Sequence, residues 1–349
     1  MPIIIDNPWR GDGLDPEGVQ PIADASGVAS LLAQCPAHRE TPLRAAPEIA
    51  ERAGVGKVWI KDERERMGLG SFKALGAVHA IAREAAARAE GGDLQTALAG
   101  ETYVAASAGN HGLSVAAGAR IFGARAIIYL AETVPAAFAA RLEARGAEVV
   151  RAGAEYQASM EAAETAAAEN GWTLLSDSSW EGYVDLPPLR VMEGYTQLAA
   201  EAVAQIDAPP THILLQAGVG GLAAAVAAHA RLVWGDGPQI IVVEPDAAPA
   251  LIESIRAGHL VSTEGPVSAT GRLDCKTPSM VALAGLSRDA DRFATITEAE
   301  AQSGVDILAE HGLATTPSGG AGLAALLAGL SLGPEARVLA ILSEGPEDG

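Results

Sequence analysis

Along most of the chain, short β-branched runs alternate with alanine-rich stretches of helical spacing. Residues 58–61, 102–106, 126–130, 148–151, 173–176, 212–216, 239–244 and 337–342 are apolar or β-branched runs of strand length. Between them, residues 72–90, 111–122, 136–145, 156–170, 192–205, 221–234 and 321–330 predict helices. Alanine dominates these stretches and loses no side-chain rotamer entropy on ordering. Strands that alternate with helices predict an α/β fold with twisted, largely parallel sheets flanked by helices. Two segments break the pattern. Residues 180–189, with the Pro187-Pro188 pair, mark the best crossing point between two domains. Residues 259–287 show little periodicity and several turn signals, as expected of a loop that covers a site.

Length and composition sharpen this picture. A chain of 349 residues is long for one core, so two domains are expected. With 49% hydrophobic and 19% charged residues, a packed protein is expected rather than a disordered one. The 24 basic and 44 acidic side chains leave a net charge of −20. Such a surface repels phosphate backbones and anionic headgroups, so nucleic acid and membrane surfaces are excluded as partners. The two cysteines, Cys35 and Cys275, make neither a disulfide framework nor a zinc pattern. No metal is expected, and a reducing cytoplasm fits best. The N-terminal residues lack the pattern of a secretory signal, and no run of apolar residues is long enough to span a bilayer.

Four stretches carry candidate chemistry. The first is Met67-Gly-Leu-Gly-Ser-Phe-Lys73-Ala-Leu-Gly76, in which Lys73 follows a glycine-rich turn at the start of an apolar helix. Partial desolvation there is expected to lower the amine's pKa towards the nucleophilic range. Taken alone, a lysine in this position reads as a surface lysine at a helix end and proves nothing. The second is Ser107-Ala108-Gly109-Asn110-His111-Gly112, directly after a strand. A strand that ends in small residues before a helix turns backbone N–H groups towards an anion, although a plain Gly-Asn turn has the same sequence. The third, Gln216-Ala-Gly218-Val219-Gly220-Gly221-Leu222, allows close backbone approach to a phosphate. Neither the full dinucleotide fingerprint nor a P-loop is present in it. The fourth, Thr315-Thr-Pro-Ser318-Gly-Gly, leads into another alanine-rich helix, with Ser318 either a helix cap or a hydrogen-bond partner for a ring nitrogen.

The order of the four, from about Thr41 to the C-terminus, resembles the fold-type II, or tryptophan-synthase β-like, family of pyridoxal 5'-phosphate (PLP) enzymes. That resemblance implies that Lys73 carries PLP as a Schiff base and moves the proton on Cα. It implies that Phe72 lies against the ring and Asn110 contacts the 3'-oxygen. Gly218, Val219, Gly220, Gly221 and Leu222 would hold the phosphate, and Ser318 would meet the pyridine nitrogen. Ser107, Ala108, Gly109, Asn110 and His111 would bind the substrate, with the backbone of 107–110 on its carboxylate. It also implies a homodimer, with residues 1–78 and 186–349 as a large cofactor-binding domain and 79–185 as a smaller, mobile one.

A fifth stretch is similar to the diaminopropionate ammonia-lyases: Ser176-Asp177-Ser-Ser-Trp180-Glu-Gly-Tyr183, followed by Met192-Glu-Gly-Tyr195-Thr196. This implies β-elimination of 2,3-diaminopropionate to pyruvate and ammonia, with Asp177 as a catalytic residue beside the distal ammonium. That family has an aspartate where this chain has Ala108, and alanine accepts no proton; preference for an L-amino acid is therefore expected. Arg272, Asp274 and Cys275 are further candidates for substrate contact, with loop packing as the alternative. A dehydratase of serine, threonine or another 3-hydroxy amino acid is the near alternative, and a PLP-free binding protein of the same fold is the distant one.

Overall fold

The computed structural model describes residues 2–15, 17–35, 37–184 and 186–346. In chain order the strands are β1 (Ile3–Asp6), β2 (Leu43–Ala45), β3 (Lys57–Asp62), β4 (Thr102–Ala106), β5 (Arg125–Leu130), β6 (Glu148–Arg151), β7 (Thr173–Leu174), β8 (His212–Gln216), β9 (Gln239–Pro245), β10 (Arg292–Ile296) and β11 (Arg337–Leu342). The α-helices are α1 (Ser26–Leu32), α2 (Pro47–Ala53), α3 (Gly76–Ala89), α4 (Asn110–Ile121), α5 (Ala136–Glu143), α6 (Tyr156–Asn170), α7 (Leu186–Gln205), α8 (Gly221–Trp234), α9 (Ala250–Ala257), α10 (Met280–Asp289), α11 (Glu298–Glu310) and α12 (Ala321–Leu327).

Two sheets organise them. One has seven strands in the order β1-β10-β9-β8-β11-β3-β2, and the other has four in the order β6-β5-β4-β7. Every pairing is parallel except β1 with β10 and β2 with β3, at the two edges of the larger sheet. Parallel strands need helices on both faces, which is why β8, β9 and β11 are buried along almost their whole length. Strands β4, β6, β8 and β11 match the sequence expectation residue for residue. No helix of the described residues is long and apolar enough to cross a membrane.

Several boundaries differ, each for a physical reason. Helix α7 starts six residues before the expected 192, and Pro187 and Pro188 sit in its first turn, where a missing N–H breaks no helical hydrogen bond. The expected helix 72–90 is two elements: a 3₁₀ turn, Phe72–Leu75, then α3. Lys73 therefore sits in a tight turn rather than in an α-helix. Residues 280–287 of the expected loop belong to α10, for which Ser279 is the N-cap residue. Strands β1, β2 and β10 have three to five residues and no alternation, and the sequence did not announce them.

The loops that follow β4, β8 and β11 all emerge from the carboxyl ends of parallel strands. Open α/β sheets bind ligands at such ends. All four motifs converge there.

Candidate active site

The approach to Lys73 is fixed from below by buried charges. Lys61, Glu63, Arg66 and Glu201 are each at most 2% exposed. Arg66 donates to Glu63 through Nε (2.8 Å) and to Glu201 through Nη2 (2.7 Å), while Lys61 Nζ donates to Glu201 (2.7 Å) and to the Thr41 carbonyl (2.7 Å). Two cations and two carboxylates balance, so no charge in this cluster is left unpaired. From this anchor the chain passes through three left-handed residues, Met67 (φ 52°), Gly68 (φ 68°) and Gly70 (φ 80°). Met67 carries the strain of that conformation; the glycines do not. Phe72 N then donates to the Ser343 carbonyl (3.0 Å), and Gly345 N to the Gly70 carbonyl (3.0 Å). The C-terminal strand end thus clamps the Lys73 turn.

The Lys73 amine forms an ion pair with Asp177. Both side chains are about a fifth exposed (21% and 22%). Burial pushes the amine's pKa down, but the adjacent Asp177 carboxylate outweighs it and holds Lys73 above the ordinary lysine value. Asp177 is correspondingly held below the usual carboxylate range, against burial, by Lys73. The expectation of a lowered lysine pKa is therefore corrected: desolvation is present, and the partner overrides it. The Lys73 Nζ also lies 5.1 Å from the Phe72 ring centre and 5.6 Å from that of Tyr195. The two rings meet edge to face at 4.8 Å. Tyr195, fully buried, packs its phenol against Gly76, where a Cβ would lie 2.6 Å from the ring. Its hydroxyl is pushed up to about 12 by burial, so it stays neutral.

The glycine loop lies beside this pair. A Cβ on Gly218 would sit 2.9 Å from Cys275 Sγ and 3.0 Å from Leu273 Cα, and Gly220 has φ +98°. Side chains are excluded at Gly218 by space and at Gly220 by backbone conformation. Helix α8 follows at once, and no side chain caps its first turn. A Cβ on Gly221 would lie 3.7 Å from the Asp177 carbonyl oxygen, so the loop and the Asp177 segment are in contact. Ser179 and Ser279 reinforce that contact through a buried hydroxyl pair (2.7 Å). Ser179 Oγ accepts from Val281 N (3.0 Å), and the Val219 carbonyl accepts from Ser279 N (3.0 Å).

The segment after β4 forms the opposite wall. Ser107 Oγ accepts from Gly109 N (3.3 Å), and the first turn of α4 has no side-chain cap. Asn110 Nδ2 donates to Glu344 Oε2 (2.6 Å). His111 is buried, with its ring Nε2 on the Leu175 carbonyl (2.8 Å), so it ties α4 to the end of β7. Ser318 Oγ accepts from Arg272 N (3.1 Å), and the N-cap position of α12 is Gly320; Ser318 is not that cap.

The structure thus brings Phe72, Lys73, Asp177, Gly218 to Leu222, Ser107 to Asn110 and Ser318 into one neighbourhood at the carboxyl ends of the strands, with the His111 ring turned into the packing behind it. Asp274 is committed to the loop itself, accepting from Lys276 Nζ (2.6 Å) and Ser268 N (3.2 Å). Cys275 lies against Gly218, and burial pushes its thiol up to about 12, so it is not a thiolate. Three residues to which the sequence assigned no role join the site. Tyr195 is one. Burial, with the Asp177 carboxylate close by, pushes the Tyr156 phenol above its ordinary value. Glu344, 4% exposed, meets Asn110, Thr316 and Arg272. Only Tyr195 lay in a stretch with a recognisable resemblance.

These groups fit a phosphate-bearing aldehyde. A partly exposed lysine amine stands beside a carboxylate; a cradle that Cβ atoms would fill leads into an uncapped helix N-terminus; and an amide lies close by. The comparisons agree. Residues 35–344 match the family described as pyridoxal-phosphate dependent enzyme. The diaminopropionate ammonia-lyase of Escherichia coli K12 is 32% identical over 89% of this chain and 85% of its own length. The human serine dehydratase-like protein is 29% identical over 87% of this chain and 86% of its own. A crystal structure of the E. coli diaminopropionate ammonia-lyase in complex with D-serine superposes with a TM-score of 0.88, at 29% identity, over 99% of this chain and 94% of that one. This chain belongs to the pyridoxal-phosphate-dependent enzymes of fold type II and is an ammonia-lyase of that family.

Proposed function

We propose that the protein eliminates the β-amino group of L-2,3-diaminopropionate, so that one substrate and one water give pyruvate and two ammonia. The observation that carries this reading is the Lys73–Asp177 pair: one amine and one carboxylate, side by side. The substrate's distal ammonium is chemically equivalent to the lysine ammonium that Asp177 already holds. Once Lys73 is engaged with the cofactor, Asp177 is left to pair with that distal ammonium instead.

PLP, when bound, supplies the electron sink for loss of the Cα proton and the β-substituent. The chain supplies the rest. Lys73 holds the cofactor and moves the proton at Cα. Asp177 binds and orients the distal ammonium. The uncapped first turn of α4, with the backbone of Ser107–Asn110, receives the substrate carboxylate. Gly218–Leu222 and the N-terminus of α8 hold the phosphate, Phe72 packs the ring, Asn110 donates to the 3'-oxygen, and Ser318 meets the ring nitrogen. Residues 79–185, which carry Asp177 and Asn110, form the unit that closes on substrate.

Ala108 stands in the Ser107–Asn110 wall and has no proton acceptor, so deprotonation falls to Lys73 on one face. The proposal therefore includes preference for the L-enantiomer; equal turnover of D- and L-diaminopropionate by purified protein would refute that part. The free Cys35 and Cys275 support work in the reducing cytoplasm. Exposed Ile3, Ile4, Leu232 and Val233 give apolar surface that a second copy would cover in a homodimer.

The test is ammonia and pyruvate released by PLP-loaded protein from L-2,3-diaminopropionate, with L-serine and L-threonine in parallel. Two ammonia per pyruvate from the diamine, well above the hydroxy amino acids, is the expected result. Turnover of serine or threonine alone would assign the protein to the dehydratases. Loss of visible absorbance in Lys73→Ala would tie the cofactor to that lysine.

A further inference from the structure

Asparagine presents an oxygen end and a nitrogen end of nearly equal shape, and beside a neutral neighbour either can face a ligand. Asn110 does not have that choice. Its Nδ2 donates to Glu344 Oε2 at 2.6 Å, and an ionised carboxylate only accepts. The carboxylate itself cannot turn, because Oε1 receives Thr316 Oγ1 and Arg272 Nη1 (2.7 Å). Its backbone is held as well. Thr315 Oγ1 donates to the Glu344 carbonyl (2.6 Å), and Glu344 pairs with Ser71 in an antiparallel bridge, two residues before Lys73. One short segment therefore sets the position of the Lys73 turn and the orientation of the Asn110 amide together.

We propose that Glu344 is a positioning residue of the cofactor site: it takes one N–H of Asn110 and thereby aims the other at the cofactor's 3'-oxygen. This rests on the reading that Asn110 contacts that oxygen. The charge of Glu344 also polarises the amide, which strengthens the remaining N–H as a donor. Arg272 and Thr316 act one step further out, by holding Glu344.

The experiment is a double-mutant cycle read as the apparent Kd of PLP for apo-protein, by absorbance titration, in wild type, Glu344→Gln, Asn110→Ala and the double variant. Glu344→Gln is expected to weaken PLP about tenfold in the wild-type background and less than twofold in the N110A background. An equal loss in both backgrounds, or none in either, overturns the proposal. If Glu344→Gln does not fold, Thr316→Val replaces it in the same cycle, with an expected loss of about threefold that also vanishes in N110A. PLP uptake by wild type with additive losses would remove the positioning role and leave the cofactor reading intact. Failure of wild type to take up PLP would remove both.

Discussion

Replacing Asp177 with asparagine preserves the size of the side chain and removes the charge that keeps the Lys73 amine protonated. A fully buried pair that loses one partner costs about 3–5 kcal/mol. Here each partner is about a fifth exposed, and solvent screening brings the expected cost of Asp177→Asn to about 1–2 kcal/mol. The pH window follows from the two shifts. Lys73 is raised in the folded protein, so its contribution is complete below the unfolded lysine value of about 10.4 and is lost as pH rises through the folded one. Asp177 is lowered, so its contribution is complete above the unfolded value of about 3.9 and is lost as pH falls through the folded one. Between those limits wild type should melt a few degrees above Asp177→Asn, and the gap should narrow at both extremes. The decisive assay is capture of PLP by apo-protein across pH, followed by absorbance. Capture needs the neutral amine. Without Asp177, burial acts on Lys73 unopposed and moves its pKa down. The rise of the capture rate should then shift to lower pH by at least about one unit, a tenfold change in neutral amine at fixed pH. Superimposable pH–rate profiles would refute the ion-pair argument.

Two further predictions concern the cradle and the core. Gly218→Ala places a Cβ against Leu273 Cα (3.0 Å) and the Arg272 carbonyl oxygen (3.2 Å), which are backbone and cannot swing aside. The strain of about 1–3 kcal/mol falls on the loop proposed to bind phosphate, so PLP affinity should drop by about tenfold or more; titration of the apo-variant reads it. Glu244 is buried under α9, accepts from Leu251 N (2.7 Å) and Ile252 N (2.8 Å), and is pushed up to about 8 by burial. The unfolded carboxyl ionises near pH 4.3 and the folded one only near 8, so stability falls as pH rises between them. Glu244→Gln should flatten that slope in melting curves taken at pH 6 and pH 9.

The sequence made the convergence of four glycine-bearing motifs legible because each motif is local: a strand, a turn and a helix start within about ten residues. Lys73, Asn110, Gly218 and Ser318 were found in this way. Glu344 was not, because its meaning lies in three partners 72, 28 and 234 residues away in the chain. The buried quartet escaped for the same reason: Lys61 and Glu63 lie in an ordinary strand-like run, and only the fold shows that Glu201 neutralises Lys61 and Arg66. The pKa of Lys73 was expected with the wrong sign, since desolvation can be anticipated from a helix start but a carboxylate 104 residues away cannot. Edge strands β1 and β2 were invisible because they are short antiparallel edges with no buried residue, outside the alternation of parallel strand and helix that revealed strands as short as β6.

The two sheets meet across this site through contacts that ligands would contest. Lys73, the glycine loop, Ser318 and Glu344 belong to loops of the seven-stranded sheet, whereas Asp177 and Asn110 follow β7 and β4 of the four-stranded one. Lys73 to Asp177 and Glu344 to Asn110 link the two sheets directly. A diamine substrate would take Asp177 from Lys73, and the cofactor's 3'-oxygen would take the second N–H of Asn110 while leaving the first on Glu344. On this geometry the two crossings have different fates. The Lys73–Asp177 pair is exchanged for a substrate contact, so the four-stranded sheet must hold its place on the substrate instead of on the lysine. The Glu344–Asn110 bond persists and remains the fixed point about which that exchange occurs. On the proposed reading, in which residues 79–185 close on substrate, binding and closure would be one event, and a monoamine with no distal ammonium for Asp177 is expected to bind without completing it.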